Sequence, residues 1–253
     1  MTIPTPKEVP DWIRSVLILD AEDVWGQISG MGLGQLAVRL GYPGGFDNRG
    51  DVLFTDSFEE GLTKGVVTKG VAGAAVEVST TSCRLGGFSL KLTAGSDGES
   101  WAGYLYALPY PTLAKVGAMC AFTVQADTEY IELLYSFYDG TYRHEAGIRY
   151  DHVNSKIQYK DAGLTWQDLI TNVPLYAYDT GYHYLKVVID LATAEYHRVL
   201  VDGYSWLIGE LDYYHELDDT SPLFYCTLYH YGAEDANAVS YIDSVIFTQN
   251  EPL

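Results

Sequence analysis

The chain has 253 residues, a length that suits one large β domain with an additional segment. Its 22 tyrosines supply most of an aromatic share of 14%, and tyrosine is typical of strands that have one face in water. The formal net charge of −19 repels nucleic-acid phosphates and anionic membrane surfaces, so nucleic acid is excluded as a partner and membrane insertion is not expected.

Residues 1–51 differ in composition from the rest of the chain. The first ten residues hold three prolines and lack a basic region followed by an apolar run, so we expect no secretory signal. Glycines interspersed with large apolar side chains follow, in a pattern too apolar for a free linker and too rich in glycine for an isolated helix. We predict an N-terminal arm over residues 1–51, which orders either against its own domain or against a neighbouring protein.

The pattern changes to a period of two residues from about residue 52 onward. Apolar and polar residues alternate over short runs separated by turn residues, which is typical of half-buried antiparallel strands. No amphipathic helix interrupts the pattern, so residues 52–253 are predicted to form one sandwich or barrel domain. Clear runs lie at 88–93, 118–124, 131–137 and 185–189.

Turn signals separate several of these runs. Asp139-Gly140 and Asp202-Gly203 each lie between two strand-like segments, and Asp-Gly tolerates the positive φ angles of a tight hairpin. The segment 190–195 predicts another short hairpin loop.

The three cysteines lie far apart, and their spacing resembles neither a zinc site nor a redox pair. We therefore expect Cys83, Cys120 and Cys226 to be buried thiols of a protein from a reducing compartment. No uninterrupted apolar stretch approaches the length of a membrane helix.

Four segments carry a resemblance to a known fold: VLFTDSFEEG at 52–61, GGFSLKL at 86–92, YHYLKVVIDLATAEYHRVLVDG at 182–203 and VSYIDSVIFT at 239–248. On these segments, residues from about 52 to the C-terminus resemble the concanavalin A-like jelly-roll superfamily of the LamG and glucanase type. This resemblance implies an all-β, antiparallel jelly-roll sandwich, which the extended, partly irregular N-terminal arm would precede, and a galactose-binding-type jelly roll is the alternative fold. The segments mark the fold and not an active site.

The segment FDNRGDVLFTDSFEEG at 46–61 also resembles the start of jelly-roll domains in structural proteins of tailed phages and viruses. That resemblance implies a virion protein in which an arm precedes a displayed jelly roll.

Aromatic residues near the predicted turns are the candidates for carbohydrate binding, because flat rings stack on the apolar faces of sugars. Ordinary loop and edge aromatics are the alternative interpretation. The candidates are Trp101, Tyr104, Tyr142 and Trp166.

Acidic residues in nearby loops are the candidates for metal binding. Calcium favours oxygen ligands, so calcium is the cofactor that these carboxylates would hold. The candidates are Asp97, Glu99, Asp139 and Asp161.

The acidic segment 210–216 resembles the motif of laminarinase-type glucanases, which place Glu-x-Asp-x-Glu or Glu-x-Asp-x-x-Glu on one strand. Here the third motif position is Tyr214 or His215, depending on the motif. Retaining hydrolysis needs two carboxyls about 5 Å apart, whereas Glu216 lies roughly 20 Å from Glu210 along an extended strand. We therefore predict no catalytic residues and a protein that is not an enzyme.

The last apolar run, 239–248, predicts the closing strand of the sandwich. Strict alternation puts Asp243, Val245 and Phe247 on one face, and we expect Val245 and Phe247 to point into the core. A buried carboxylate needs donors, so we expect Asp243 to accept hydrogen bonds from backbone amides of a neighbouring loop.

Together these features predict a non-enzymatic virion structural or accessory protein, such as a capsid decoration, tail or fibre component, that is assembled in the host cytoplasm. Residues 1–51 would anchor it to other virion proteins or to sister subunits of an oligomer. The alternative function is a carbohydrate-binding module, including one for host-glycan recognition. A glycoside hydrolase is the least favoured.

Overall fold

The computed structural model describes residues 47, 49–70, 72–96, 100–178, 181–234 and 236–252. Most of the predicted N-terminal arm lies outside these residues, so the boundary at residue 51 stays a prediction. The described residues form strands and connecting loops without a helix, and none of them belongs to a helix long and apolar enough to cross a membrane.

The first of two antiparallel sheets has eight strands in the order β13-β12-β11-β6-β16-β4-β3, with β1 pairing β16 beside this path. Its strands are β1 (Asp51–Asp56), β3 (Ala75–Ser79), β4 (Ser89–Thr93), β6 (Lys115–Phe122), β11 (His183–Asp190), β12 (Glu195–Val201), β13 (Tyr204–Asp212) and β16 (Val239–Gln249).

The second sheet also has eight strands, in the order β10-β9-β8-β7-β15-β5-β2, with β14 pairing β8. Its strands are β2 (Val66–Lys69), β5 (Trp101–Leu108), β7 (Thr128–Tyr138), β8 (Tyr142–Asp151), β9 (Lys156–Lys160), β10 (Trp166–Thr171), β14 (Tyr214–Leu217) and β15 (Leu223–Gly232).

The two sheets form a sandwich whose core lies between them. Alternate residues of each strand point inward, such as Leu133 in β7 and Leu185 in β11, and both are fully buried. The predicted all-β antiparallel sandwich is therefore confirmed.

The predicted turns also occur. Asp202 and Gly203 have φ angles of 50° and 94° and connect β12 to β13 as a two-residue hairpin. Asp139 and Gly140 lie between β7 and β8, and residues 191–194 connect β11 to β12.

The structure confirms the predicted inward face for the second half of the closing strand β16 and corrects it for the first half. Val245 and Phe247 point into the core, as predicted. The register against β6 shifts after Asp243, where Ser244 has a φ of 55°. This β-bulge reverses the facing of the preceding residues. As a result Ile242 faces the core, whereas Asp243 faces away from it and is buried beneath the loop before β4.

Asp243 nevertheless finds the donors that were predicted for it. Its Oδ2 accepts hydrogen bonds from the backbone amides of Arg84 at 2.9 Å and Leu85 at 3.1 Å. Its Oδ1 accepts one from the amide of Ser244 at 2.6 Å. The loop before β4 is thereby attached to the closing strand.

A buried ion network on the outer face of the first sheet joins both ends of the described chain. Lys186 Nζ of β11 lies 2.8 Å from Asp47 Oδ2 and 2.6 Å from Glu251 Oε1. Arg198 Nη2 of β12 lies 3.2 Å from Asp47 Oδ2 and 2.5 Å from Glu251 Oε2. Two cations therefore share two carboxylates that are almost completely removed from water.

Candidate functional site

A groove of about 490 Å³ lies on the outer face of the second sheet. Residues from five strands line it, so the groove runs across the sheet and not along one strand. The lining residues are Trp101, Glu129, Tyr130, Glu132, Arg149, Trp166 and Tyr231.

A row of side chains crosses the sheet at the floor of the groove. The strand register places Tyr229 of β15 opposite Glu132 of β7, and Glu132 opposite Arg149 of β8. Arg149 is in turn opposite Gln158 of β9, and Gln158 is opposite Asp168 of β10. These residues alternate with core residues of the same strands, so their side chains face outward.

The guanidinium of Arg149 lies between two aromatic rings. Its Cζ is 4.0 Å from the centroid of Tyr130 and 4.4 Å from that of Trp166, distances that allow a cation–π contact with both. Arg149 Nε donates a hydrogen bond to Gln158 Oε1 at 2.7 Å. Burial lowers the pKa of Arg149, although Tyr130 and Glu132 oppose this shift. The side chain remains a cation, since arginine does not lose its proton in proteins.

Glu132 is the acidic group at the floor. Its side chain is nearly buried, with 4% of its surface exposed, and among the described residues it forms no hydrogen bond or ion pair. Burial raises the pKa of Glu132 to about 7, while the positive charges of Lys160 and Arg149 act in the opposite direction. Glu132 therefore changes charge near neutral pH.

Aromatic rings form the two sides of the groove. On one side, the indole of Trp101 makes an edge contact with Tyr229, with ring centroids 5.1 Å apart. On the other side, Trp166 lies over Gly147, where a Cβ atom would come within 2.9 Å of the indole. Glycine at position 147 is therefore what allows Trp166 to lie close to the sheet.

Two of the four predicted carbohydrate-binding residues meet in this groove. Trp101 and Trp166 both line it, although 65 positions separate them in the sequence. Tyr104 was predicted wrongly, because it is fully buried in the core and its hydroxyl accepts a hydrogen bond from the Gly65 amide at 2.8 Å. Its ring is not accessible to a sugar.

Tyr142 lies at the beginning of β8, away from the residues that line the groove. Its ring centroid is 5.8 Å from that of His215 and 6.1 Å from that of His144. Tyr142 therefore belongs to a separate aromatic cluster near the β7–β8 turn.

The predicted calcium ligands are not brought together where the structure describes them. Asp139 Oδ1 accepts hydrogen bonds from the amides of Thr141 and Tyr142, and Asp161 Oδ1 does the same for Gly163 and Thr165. Both carboxylates thus close their own turns.

Asp97 and Glu99 lie outside the described residues. Within the part of the chain that the structure describes, no group of three or more His, Cys, Asp or Glu side chains is arranged to hold a metal ion.

The acidic segment 210–216 is divided between the two sheets. Glu210 and Asp212 belong to β13 at the edge of the first sheet, whereas Glu216 belongs to β14, which pairs β8 in the second sheet. Glu216 forms an ion pair with Arg143 at 3.2 Å. The segment therefore does not form the single-strand carboxylate arrangement of a glucanase.

Sequence reasoning missed the polar residues of the groove floor. Glu132 stands between the core residues Ile131 and Leu133, and Arg149 follows the core residue Ile148. A charged residue within an apolar alternation marks a position on the outer face of a strand. That signal was present, but it does not reveal which outward residues meet across strands.

No family model and no curated protein matches the chain. Solved structures do match it. An endo-beta-1,4-glucuronan lyase from Trichoderma reesei has a TM-score of 0.53 at 11% identity, over 79% of this chain and 96% of that one. Alginate lyase vAL-1 from Chlorella virus has a TM-score of 0.51 at 10% identity, over 79% of this chain and 100% of that one.

A conserved carbohydrate esterase from the Shiga toxin-encoding bacteriophage phi24B has a TM-score of 0.50 at 17% identity, over 80% of this chain and 100% of the esterase. A sialidase also matches, and this chain spans only 19% of the length of that sialidase. The chain shares with these proteins the fold of an antiparallel β-sandwich. At these identities the likeness extends to the fold alone.

Proposed function

We propose that the chain is a saccharide-binding jelly-roll protein, and that the groove on the second sheet is its binding site. The observation that supports this most is that Trp101 and Trp166 line opposite sides of one groove, which has a polar floor. Aromatic rings suit the C–H faces of a sugar, while Glu132 and Arg149 suit its hydroxyl groups.

The size of the groove agrees with this proposal. Ligand sites in proteins commonly enclose about 300–1,000 Å³, are lined largely by apolar and aromatic side chains, and contain a few polar groups that fix orientation. The groove has a volume of about 490 Å³ and contains both kinds of group. The lyases and the esterase of the same fold are named for carbohydrate chemistry, which is consistent with a saccharide site on this scaffold.

Binding to a panel of soluble oligosaccharides, followed by calorimetric titration, tests the proposal. Trp101→Ala and Trp166→Ala should each weaken binding by about tenfold or more, because each removes a large aromatic ring from one side of the groove. Tyr204→Ala is the matched control, since Tyr204 is an exposed aromatic residue in the first sheet. Binding that is unaffected by both tryptophan variants would place the site elsewhere.

Display on a virion stays a prediction, as does the absence of enzymatic activity. Asp47 is held by Lys186 and Arg198 on the outer face of the first sheet, whereas the groove lies on the second. Co-purification of the chain with virus particles, and its loss when residues 1–45 are removed, would support this role.

A further inference from the structure

The other cations described around the groove form ion pairs, and Arg149 is the exception. Lys160 forms an ion pair with Glu145, and Lys156 lies 2.5 Å from Asp168. Arg143 Nη2 lies 3.3 Å from Glu145. Arg149 uses only its Nε, so both terminal nitrogens lack a hydrogen-bond partner among the described residues.

The strand register offers Arg149 an acidic partner that it does not use. Glu132 and Arg149 are directly opposite on neighbouring strands, a position from which opposite charges usually pair. They form no ion pair here, and the guanidinium instead contacts Tyr130, Trp166 and Gln158. The two terminal nitrogens of Arg149 and the carboxyl group of Glu132 are therefore available to hydrogen-bond a ligand.

A carboxylate is the ligand group that matches a guanidinium most closely. The planar fork of arginine donates two parallel hydrogen bonds to a carboxylate, and such bonds are about twice as strong as neutral ones. A neutral sugar offers only hydroxyl groups, which would leave the two terminal nitrogens of half-buried Arg149 without a charged acceptor. The groove therefore favours a sugar that carries a carboxylate between its aromatic sides.

We propose that the groove binds an acidic saccharide of the uronate class, whose carboxylate accepts hydrogen bonds from the terminal nitrogens of Arg149 while a neighbouring hydroxyl contacts Glu132. This inference rests on the proposed saccharide-binding function and specifies the ligand of the same site.

The charge of Glu132 adds a pH dependence to this binding. The pKa of Glu132 is about 7, so its carboxyl is largely neutral at pH 6 and donates a hydrogen bond to the ligand. At pH 8 it is ionised and repels a uronate carboxylate. The other titratable and charged groups that face Glu132 are Glu129 and Tyr130 beside it, Glu145 and Arg149 on β8, Lys160 on β9, and Tyr229 and Tyr231 on β15.

Calorimetric titration of the full chain with oligoglucuronate and with cello-oligosaccharide of equal length tests the inference. At pH 6 the acidic oligosaccharide should bind at least about tenfold more tightly, as expected for a hydrogen bond to a charged group. Its affinity should fall at pH 8, whereas the affinity for the neutral oligosaccharide should change much less.

Three variants separate the roles of the two residues. Arg149→Gln should remove the preference for the acidic ligand, and Arg149→Lys should restore it only in part, because lysine lacks the planar fork. Glu132→Gln should keep the preference for the acidic ligand and abolish the loss of affinity between pH 6 and pH 8. The circular dichroism spectrum and melting temperature of each variant show whether it is folded.

The outcomes distinguish the two proposals. Equal binding of acidic and neutral oligosaccharides, or acidic binding that is unchanged in folded Arg149→Gln and Arg149→Lys, overturns the uronate inference while leaving saccharide binding intact. No binding to any saccharide overturns both. A pH dependence that persists in Glu132→Gln removes Glu132 from the site.

Discussion

Replacing Lys186 with methionine tests the buried ion network that joins both ends of the described chain. Methionine keeps most of the aliphatic volume of lysine and removes the ammonium group that lies within 2.8 Å of Asp47 and 2.6 Å of Glu251. The two carboxylates would then share Arg198, and Asp47 would keep its ion pair with Arg49.

The expected loss follows from the burial of these groups. The side chains of Arg198 and Glu251 are fully buried, and that of Asp47 is 5% exposed. Removing one partner from such a network typically costs about 3–5 kcal/mol, because the buried carboxylates keep their charge in a poorly solvated place and lose one of the cations that balance it. For a chain of this size, that loss corresponds to a decrease in melting temperature of roughly 6–20 °C.

Thermal and guanidinium unfolding of Lys186→Met measure this loss directly. Lys69→Met is the matched control, because Lys69 is exposed in β2 and its substitution should change the free energy of unfolding by less than about 0.5 kcal/mol. A Lys186→Met protein that melts within a degree or two of the unchanged chain would refute the reasoning, and would mean that these groups are well solvated.

The same network predicts in which direction the stability of the fold changes with pH. Burial opposes the ionisation of Asp47, but the charge of Lys186 and the hydrogen bond from Arg49 outweigh it, so the pKa of Asp47 lies below its ordinary value of 3.8. Its contribution to stability is therefore fully present above pH 3.8 and is lost as pH falls through the lowered pKa. Lys186→Met should reduce this acid-sensitive part of the stability.

Phe247→Ala should destabilise the fold by about 3–5 kcal/mol in chemical denaturation, because the ring is buried in the core, and an unchanged stability would mean that this half of β16 is turned outward. A chain without residues 1–45 should keep its circular dichroism spectrum and melt cooperatively, but lose oligomerisation or particle association; simple unfolding would show that the arm belongs to the core. The purified protein should not release reducing sugar from β-1,3 or β-1,4 glucans, since the acidic segment is divided between two sheets. Turnover that disappears in Glu210→Gln would contradict this expectation.

The sequence predicted those features that depend on neighbouring residues along the chain. Alternation of apolar and polar residues identified the strands, because side chains of a strand point to opposite faces with a period of two. Asp202-Gly203 identified a hairpin, because its turn needs positive φ angles at both positions. The segment 182–203 resembles a segment of known jelly rolls, and the two antiparallel sheets confirm the type of fold that this resemblance implies.

The sheet face on which a side chain lies was predictable only where apolar and polar residues alternated without interruption. Val245 and Phe247 were assigned correctly, but the bulge at Ser244 reversed the residues before it, and a serine gives no local sign of a positive φ. Tyr104 was grouped with Trp101, although residues three positions apart on a strand lie on opposite faces.

Only the tertiary structure decided which outward residues meet. Tyr229, Glu132 and Arg149 come from three strands, and β15 lies beside β7 although seven strands of the described chain lie between them in sequence. That neighbourhood depends on strand order and register, which are set by how all the strands bury their apolar faces together. The pKa of Glu132 has the same origin, because the burial that raises it is provided by residues distant in sequence.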